Sequence, residues 1–210
     1  MADASTTLEQ RRHAIEWSVA SRALPGQSVS GDLHVVVPTA DGALVGVIDG
    51  LGHGEEAVAA ARVAAAVMEE RANESVVPLV QHCHQALRRT RGVVMTVLSV
   101  NAAENFVSAL GIGNVETTIV RANPQARPRR ESVLLRCGVV GYQLPALHAS
   151  VIPVAAGDMF VFATDGVWED FSELVTTTQS PAQLVEKIMA QKFRGTDDGL
   201  VLACKHLGHP

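Results

Sequence analysis

Short apolar runs separated by Gly, Pro, Asp and Asn punctuate the chain, and the runs are of two kinds. Some recur at helical spacing. Val58, Ala61, Ala65 and Met68 follow Gly54, and Leu79, Val80, Cys83 and Leu87 follow Pro78, so two consecutive helices are predicted. Glu55 and Glu56 fall in the first turn of one, and Arg88, Arg89 and Arg91 close the other, each at the end that the helix dipole favours. A third helix is predicted over Pro181–Lys192, with Leu184, Val185, Ile188 and Met189 on its apolar side and Ser180 as its N-cap. The remaining runs are short and rich in Val and Ile, and they read as strands: 13–23, Leu33–Val37, Ala43–Ile48, Val93–Val100, Phe106–Ile112, Val115–Arg121, Val133–Arg136, further strands within 151–164, and Leu200–Lys205. Asp41-Gly42 stands between two such runs and predicts a hairpin turn. Many strands in meander order, interrupted by helix pairs, predict an α+β protein whose sheets pack on each other with helices outside.

Composition narrows the class. With 210 residues, 47% hydrophobic and 19% charged, the chain is long enough for one buried core and too apolar for a disordered protein. A net charge of −5 argues against a protein that grips nucleic acid, which needs a basic surface. Cys83, Cys137 and Cys204 are odd in number and widely spaced, which suggests a reducing compartment and no disulfide framework. Met1–Arg12 has no apolar leader core, and the longest apolar stretch, Ala57–Met68, is mostly alanine and broken by Arg62. Neither predicts a membrane segment, and a cytoplasmic protein is expected.

Chemistry enters through the punctuation. Leu44-Val45-Gly46-Val47-Ile48 runs directly into Asp49-Gly50, and Met159–Thr164 runs into Asp165-Gly166. Asp32 precedes Val35-Val36-Val37, and Asp197-Asp198 precedes Leu200-Val201-Leu202. Any one Asp-Gly alone is most simply a turn, as at Asp41-Gly42. Asp49 and Asp165 differ, because each ends a strongly apolar run with no second strand directly after it. Carboxylates that converge at the ends of buried strands repel one another unless a cation lies among them. The candidate donors are all oxygens: Asp32, Asp49, Asp165, and Asp197 or Asp198. Such a set favours hard cations such as Mg²⁺ or Mn²⁺ over zinc. Four carboxylates exceed what one Mg²⁺ usually takes, so two ions are expected, a pairing suited to in-line displacement at phosphorus. The glycine after each aspartate would permit an unusual backbone angle or a close approach.

The ordered set Ser30-Gly31-Asp32, Asp49-Gly50-Leu51-Gly52-His53-Gly54, Gly157-Asp158, Ala163-Thr164-Asp165-Gly166-Val167-Trp168-Glu169 and Asp197-Asp198 resembles the metal-dependent protein phosphatases of the PPM (PP2C-like) family. Ile112-Gly113-Asn114-Val115-Glu116 and Gly141–Pro145 resemble its bacterial, stressosome-type (RsbX-like) subgroup. The resemblance covers about residues 15–206, so residues 1–210 are expected to form a single PPM-type phosphatase domain. It implies an αββα sandwich of two antiparallel sheets flanked by helix pairs, with two Mn²⁺ or Mg²⁺ ions at one edge. Asp49 would bridge both ions, the Gly50 carbonyl would bind the first, and Asp165 and Asp197 would complete the second. Asp198 ranks behind Asp197, and Asp32 would act through metal-bound water. The implied reaction is hydrolysis of phosphoserine or phosphothreonine by direct attack of a metal-bridging hydroxide. The implied substrate is a phosphorylated STAS-domain stressosome protein, with no nucleic-acid or membrane partner and a monomeric enzyme. A binding module with weak catalysis and a hydrolase of small phosphate esters are the alternatives.

Three departures from the family pattern bear on the site. The stretch before Asp32, Gln27-Ser28-Val29-Ser30-Gly31, lacks the arginine that eukaryotic members use on phosphate, so phosphate binding is expected to lean on the metals or on an arginine from elsewhere such as Arg22. The histidine those members use as general acid is replaced by Leu51, and His53 stands two residues later as the candidate acid. The segment that other members use for substrate choice is expected to be short. Elsewhere, His82-Cys83-His84 on a helix points in several directions and predicts no metal site. Gly111-Ile112-Gly113-Asn114 is followed by no helical pattern and predicts a strand–turn–strand, and Arg127-Pro128-Arg129-Arg130 predicts a solvated loop tip.

Overall fold

The computed structural model describes residues 14–208; the reading of Met1–Arg12 lies outside them. Among the described residues eleven strands form two sheets. The first has the order β1-β11-β10-β6-β7: β1 (Ile15–Arg22), β11 (Gly199–His206), β10 (Met159–Ala163), β6 (Glu116–Val120) and β7 (Arg130–Ser132). The second has the order β2-β3-β4-β5-β8: β2 (Asp32–Thr39), β3 (Gly42–Gly50), β4 (Val93–Asn101), β5 (Phe106–Ile112) and β8 (Leu135–Arg136), with β9 (Ser150–Pro153) also on β5. All pairings are antiparallel except the two-residue β5–β8 contact. The predicted sandwich is the observed one, with refinements at its margins. Of the strand predicted over Val133–Arg136 only Leu135–Arg136 forms one, β8, and β7 precedes it at Arg130–Ser132.

Side-chain parity explains why the central strands read as continuous apolar runs. Val45, Val47, Phe160, Phe162, Leu200, Leu202 and Cys204 fill the space between the sheets. Their alternates Leu44 and Ile48 face the helices α1 (Glu55–Glu70) and α2 (Val76–Ala86). Val161, Ala163, Val201 and Ala203 face α3 (Pro181–Lys192) on the opposite side. A strand covered on both faces keeps no polar alternate. The outer layer over the first sheet is therefore α3 with a short 3₁₀ helix, Glu169–Leu174, while α1 and α2 form a true pair over the second. The capping box at Ser180 and Gln183 fixes the start of α3. Helix α2 begins two residues before Pro78, which its first turn accommodates because the N–H there has no helical partner.

Three of the four Asp-Gly glycines share one cause. None of Gly42, Gly50 and Gly166 has a positive φ, so no unusual backbone angle is involved. A Cβ on Gly50 would collide with the Ala57 carbonyl, one on Gly166 with the Asp198 carbonyl, and one on Gly42 with the Val100 carbonyl. Gly42 is the first residue of β3 and the hairpin loop is Ala40-Asp41. Gly166 matters most for the site, because it lets the backbone at Asp198 lie against the end of β10. Gly166→Ala is expected to lower stability by about 1–3 kcal/mol, read by urea unfolding in EDTA; an unchanged midpoint would show that this backbone contact is not close.

Candidate metal centre

Parity also places the acids. On β2, Asp32 shares a face with Val36, and on β3, Asp49 shares a face with Val45 and Val47, all of which meet the inter-sheet core. Asp32 lies directly opposite Asp49 in the β2–β3 ladder. From the facing sheet, Thr164 continues the parity of Phe160 and Phe162, and Asp198 that of Leu200 and Leu202. The core between the sheets thus ends, at one edge, in polar side chains from both.

The arrangement there is specific. Asp32 is buried, and the Thr164 hydroxyl donates to its Oδ2 at 2.8 Å. The same Thr164 oxygen accepts from the Leu200 N–H at 2.8 Å, which ties the hydroxyl to β11. Asp49, Asp165 and Asp197 line a depression of about 290 Å³ with Leu51, Gly52, Gly113, Asn114 and Cys137. Asn114 donates through Nδ2 to Asp165 Oδ2 at 2.8 Å. A would-be Cβ on Gly31 lies 3.5 Å from the Gly50 carbonyl oxygen and 3.4 Å from Asp198 Oδ2, so this carbonyl stands beside the acids. Another hollow, about 500 Å³ beside Trp17, Val36 and Pro38, has Glu16 as its one carboxylate.

Asp197 and Asp198 divide into two roles. Both carboxylate oxygens of Asp198 accept backbone N–H bonds at 2.7 Å, Oδ1 from Leu24 and Oδ2 from Gly31, and the side chain is buried. Asp198 therefore clamps the β1–β2 connection to the start of β11. Asp197 lines the depression, and its Oδ1 accepts from the Asp198 N–H at 2.8 Å.

Electrostatics mark the cluster as incomplete without positive charge. Burial, reinforced by the charges of Asp32, Asp165, Asp197 and Asp198, pushes the Asp49 carboxyl up to about 9. Burial raises Asp32 to about 7 against the opposing hydrogen bond from Thr164, with Asp198, Asp165 and Asp197 adding to the rise. Burial and the neighbouring Asp197 charge raise Asp165, while the Asn114 bond and the Arg194 charge lower it. An all-oxygen donor set under mutual repulsion fits a hard divalent cation. Among the described residues no group of three His, Cys, Asp or Glu side chains already closes on one point.

Two expected residues lie elsewhere. Arg22 has the parity of Ala20, on the α3 face of β1, and its guanidinium stands over the Phe193 ring at 5.6 Å. Among the described residues no contact of Arg22 with the acids supports its expected role in phosphate binding. His53 is exposed on the loop before α1 and does not line the depression, while Leu51 packs against the core. The His82-Cys83-His84 run diverges as predicted: His82 approaches Glu74 at 3.4 Å, Cys83 is buried, and His84 Nδ1 accepts from Gly141 N–H at 3.0 Å. Sequence reasoning passed over Thr164 and Asn114 as functional groups. Thr164 could have been found by extending the parity of Phe160 and Phe162, whereas Asn114 had no such signal.

The sequence profile of the Stage II sporulation protein E (SpoIIE) family matches residues 39–206. The phosphoserine phosphatase RsbX of Bacillus subtilis (strain 168) is 28% identical over 90 residues, 43% of this chain and 45% of that protein. The match therefore spans less than half the length of that relative. A chain from structural work on the bacterial stressosome, as a modular system adapted to control secondary messenger signalling, is 30% identical. It superposes with a TM-score of 0.83 over 91% of this chain and 99% of that one. RsbX in complex with magnesium superposes with a TM-score of 0.81 at 20% identity, covering 91% of this chain and 94% of that one.

Proposed function

Because the chain belongs to the SpoIIE family and has the PP2C fold, we propose that it is a divalent-metal-dependent phosphatase of phosphoserine or phosphothreonine in a partner protein. The observation that carries this reading is the convergence of Asp49, Asp165 and Asp197 on one depression, with Asp32 buried behind them. Asp49, Asp165 and Asp197, with the Gly50 carbonyl, would hold two Mn²⁺ or Mg²⁺ ions. A bound pair supplies Lewis acidity toward a phosphoryl group and lowers the pKa of water. Thr164 fixes the orientation of Asp32, and Asn114 fixes that of Asp165. Asp198 supports the site from beneath as a backbone clamp. Neither His53 nor Arg22 has a part in this reading.

The name of the Bacillus subtilis relative and the stressosome origin of the 30%-identical chain support a substrate in stressosome-type signalling, which we take to be a phosphorylated STAS-domain protein. The protein would act in the cytoplasm. No helix among the described residues is long and apolar enough to cross a membrane, and Cys83, Cys137 and Cys204 are free thiols. The direct test assays the purified protein on an aryl phosphate and on a phosphoserine-bearing STAS protein, with Mn²⁺ or with EDTA. Turnover of both that EDTA removes supports the proposal; no turnover with any metal sinks it. Turnover of the aryl phosphate alone would favour a hydrolase of small phosphate esters.

The two roles at the adjacent aspartates give a sharper outcome. Asp197→Ala is expected to weaken Mn²⁺ binding more than about tenfold with little loss of metal-free stability. Asp198→Ala strands the Leu24 and Gly31 N–H groups and is expected to lower metal-free stability by about 2–4 kcal/mol. Isothermal titration and urea unfolding read the two effects separately. A reversed pattern would exchange ligand and clamp.

A further inference from the structure

Several arginines of the described residues already have side-chain partners. Arg71 pairs with Glu74, Arg91 with Glu56, and Arg121 with Glu131 and Asp158. Arg130 donates to the Ser172 and Val175 carbonyls, and Arg22 stands over Phe193. Arg194 is different. It stands three residues before Asp197 and lines a second hollow, about 130 Å³, with Asn114, Glu116, Thr164, Asp165 and Glu169. Its backbone N–H donates to the Gly166 carbonyl at 2.8 Å, which pins it beside the strand end that carries Asp165. Its guanidinium carbon lies 4.4 Å from the centre of the Trp168 ring, a cation–π contact. Its Nε is buried with no hydrogen-bond partner. Among the described residues no carboxylate oxygen lies within 4.0 Å of its guanidinium nitrogens.

An unpaired buried donor on a cation is costly unless a ligand completes it. A structural neutraliser of Glu116, Glu169 or Asp165 would pair with one of them, and Arg194 does not. Its field does reach Asp165, whose carboxyl it lowers. A planar fork of N–H donors, held rigid on an aromatic face beside a metal-type acid cluster, has the geometry to receive a tetrahedral oxyanion at two points. A further hollow, about 570 Å³, is lined by Trp168, Glu169, Asp170, Gln191, Lys192 and again Arg194. Arg194 thus lines both hollows, one of which it shares with Asp165.

We infer that Arg194 is the phosphate-binding residue of this protein, receiving the phosphoryl oxygens of the substrate where the stretch before Asp32 offers no cation. The inference rests on the phosphatase reading for its substrate but not for its test. Binding of inorganic phosphate to the Mn²⁺-loaded protein is measured by titration for wild type, Arg194→Gln and Arg194→Lys, beside Mn²⁺ affinity and steady-state turnover of an aryl phosphate. For Arg194→Gln the phosphate dissociation constant and KM are expected to rise about 10-fold to 100-fold, with kcat altered far less. Mn²⁺ affinity is expected to stay within about twofold. Arg194→Lys, which keeps the charge and loses the fork, is expected to recover part of the loss and keeps the test open if the Gln variant folds poorly. Unchanged phosphate binding in both variants, or a phosphate effect that tracks weakened Mn²⁺ binding, would overturn the inference. Wild-type protein that binds phosphate through Arg194 yet turns over no ester would leave the inference standing and sink the phosphatase reading instead.

Discussion

Asp49→Asn is expected to abolish metal-dependent turnover, by a factor on the order of 10³ or more, and yet to make the metal-free protein more stable than wild type. The two effects come from one cause. Asp49 lies opposite Asp32 at the end of the β2–β3 ladder, and burial together with four neighbouring acids pushes its carboxyl up to about 9. In the metal-free protein at pH 7 the folded state must hold a proton on Asp49 that the unfolded chain releases, and that proton uptake opposes folding. Asparagine keeps nearly the same shape and carries no such penalty. A gain on the order of 1–3 kcal/mol is expected at pH 7. The asparagine oxygen is a weaker donor to a divalent cation than a carboxylate, so the ion-binding function goes as the stability rises. Turnover with Mn²⁺ and urea unfolding in EDTA measure the two sides. Activity within tenfold of wild type would remove Asp49 from the ligand set. A loss of metal-free stability would show that repulsion and burial are not what raises its carboxyl.

The opposite signs expected at Asp49 and Asp198 indicate how much of this site the chain discloses before it folds. The apolar runs placed Asp49 and Asp165 at strand ends, because a strand buried on both faces reads as an unbroken run and its end is sharp. Parity could have gone further than the runs alone. It sets Asp32 with Val36 and Asp49 with Val47 in the inter-sheet space, and it sets Arg22 with Ala20 on the helix side, away from the acids. Glycine after aspartate did not discriminate. Gly42, Gly50 and Gly166 all answer to a backbone that passes too close for a Cβ, at a plain hairpin as well as at the site. The pair Asp197-Asp198 stayed ambiguous because both precede the apolar run of β11, and only with its first residue known, Gly199, does alternation set Asp198 with Leu200 and Leu202. The structure separates them by what each oxygen accepts. Asn114 and Arg194 lay beyond sequence reasoning, since their roles come from contacts with Asp165 and Trp168 that no local periodicity encodes.

The same repulsion predicts a pH dependence that metal should erase. For a carboxyl raised on folding, the folded state binds more protons than the unfolded state between the two pKa values, so stability falls as pH rises through that interval. Asp32 and Asp49 start from an ordinary value near 3.8 and rise to about 7 and about 9, and Asp165 is raised as well. Stability of the metal-free protein is therefore expected to be full below about pH 4 as far as these groups are concerned, and to decline from there toward pH 9. One such group contributes a slope of up to about 1.4 kcal/mol per pH unit, and the shared repulsion keeps the sum below simple addition. A divalent cation reverses the balance, because ligation requires the carboxylates ionised and metal affinity strengthens with pH. At a metal concentration about 100-fold above its dissociation constant, binding adds about 2.7 kcal/mol. The expected result is a pair of curves that converge in acid and separate toward neutral pH, falling in EDTA and flat or rising with Mn²⁺. Urea midpoints at intervals from pH 5 to pH 8.5 would trace them. Parallel curves, or a metal-free curve that rises with pH, would mean that these aspartates are not held together as a repelling cluster, and the metal centre would lose its physical basis.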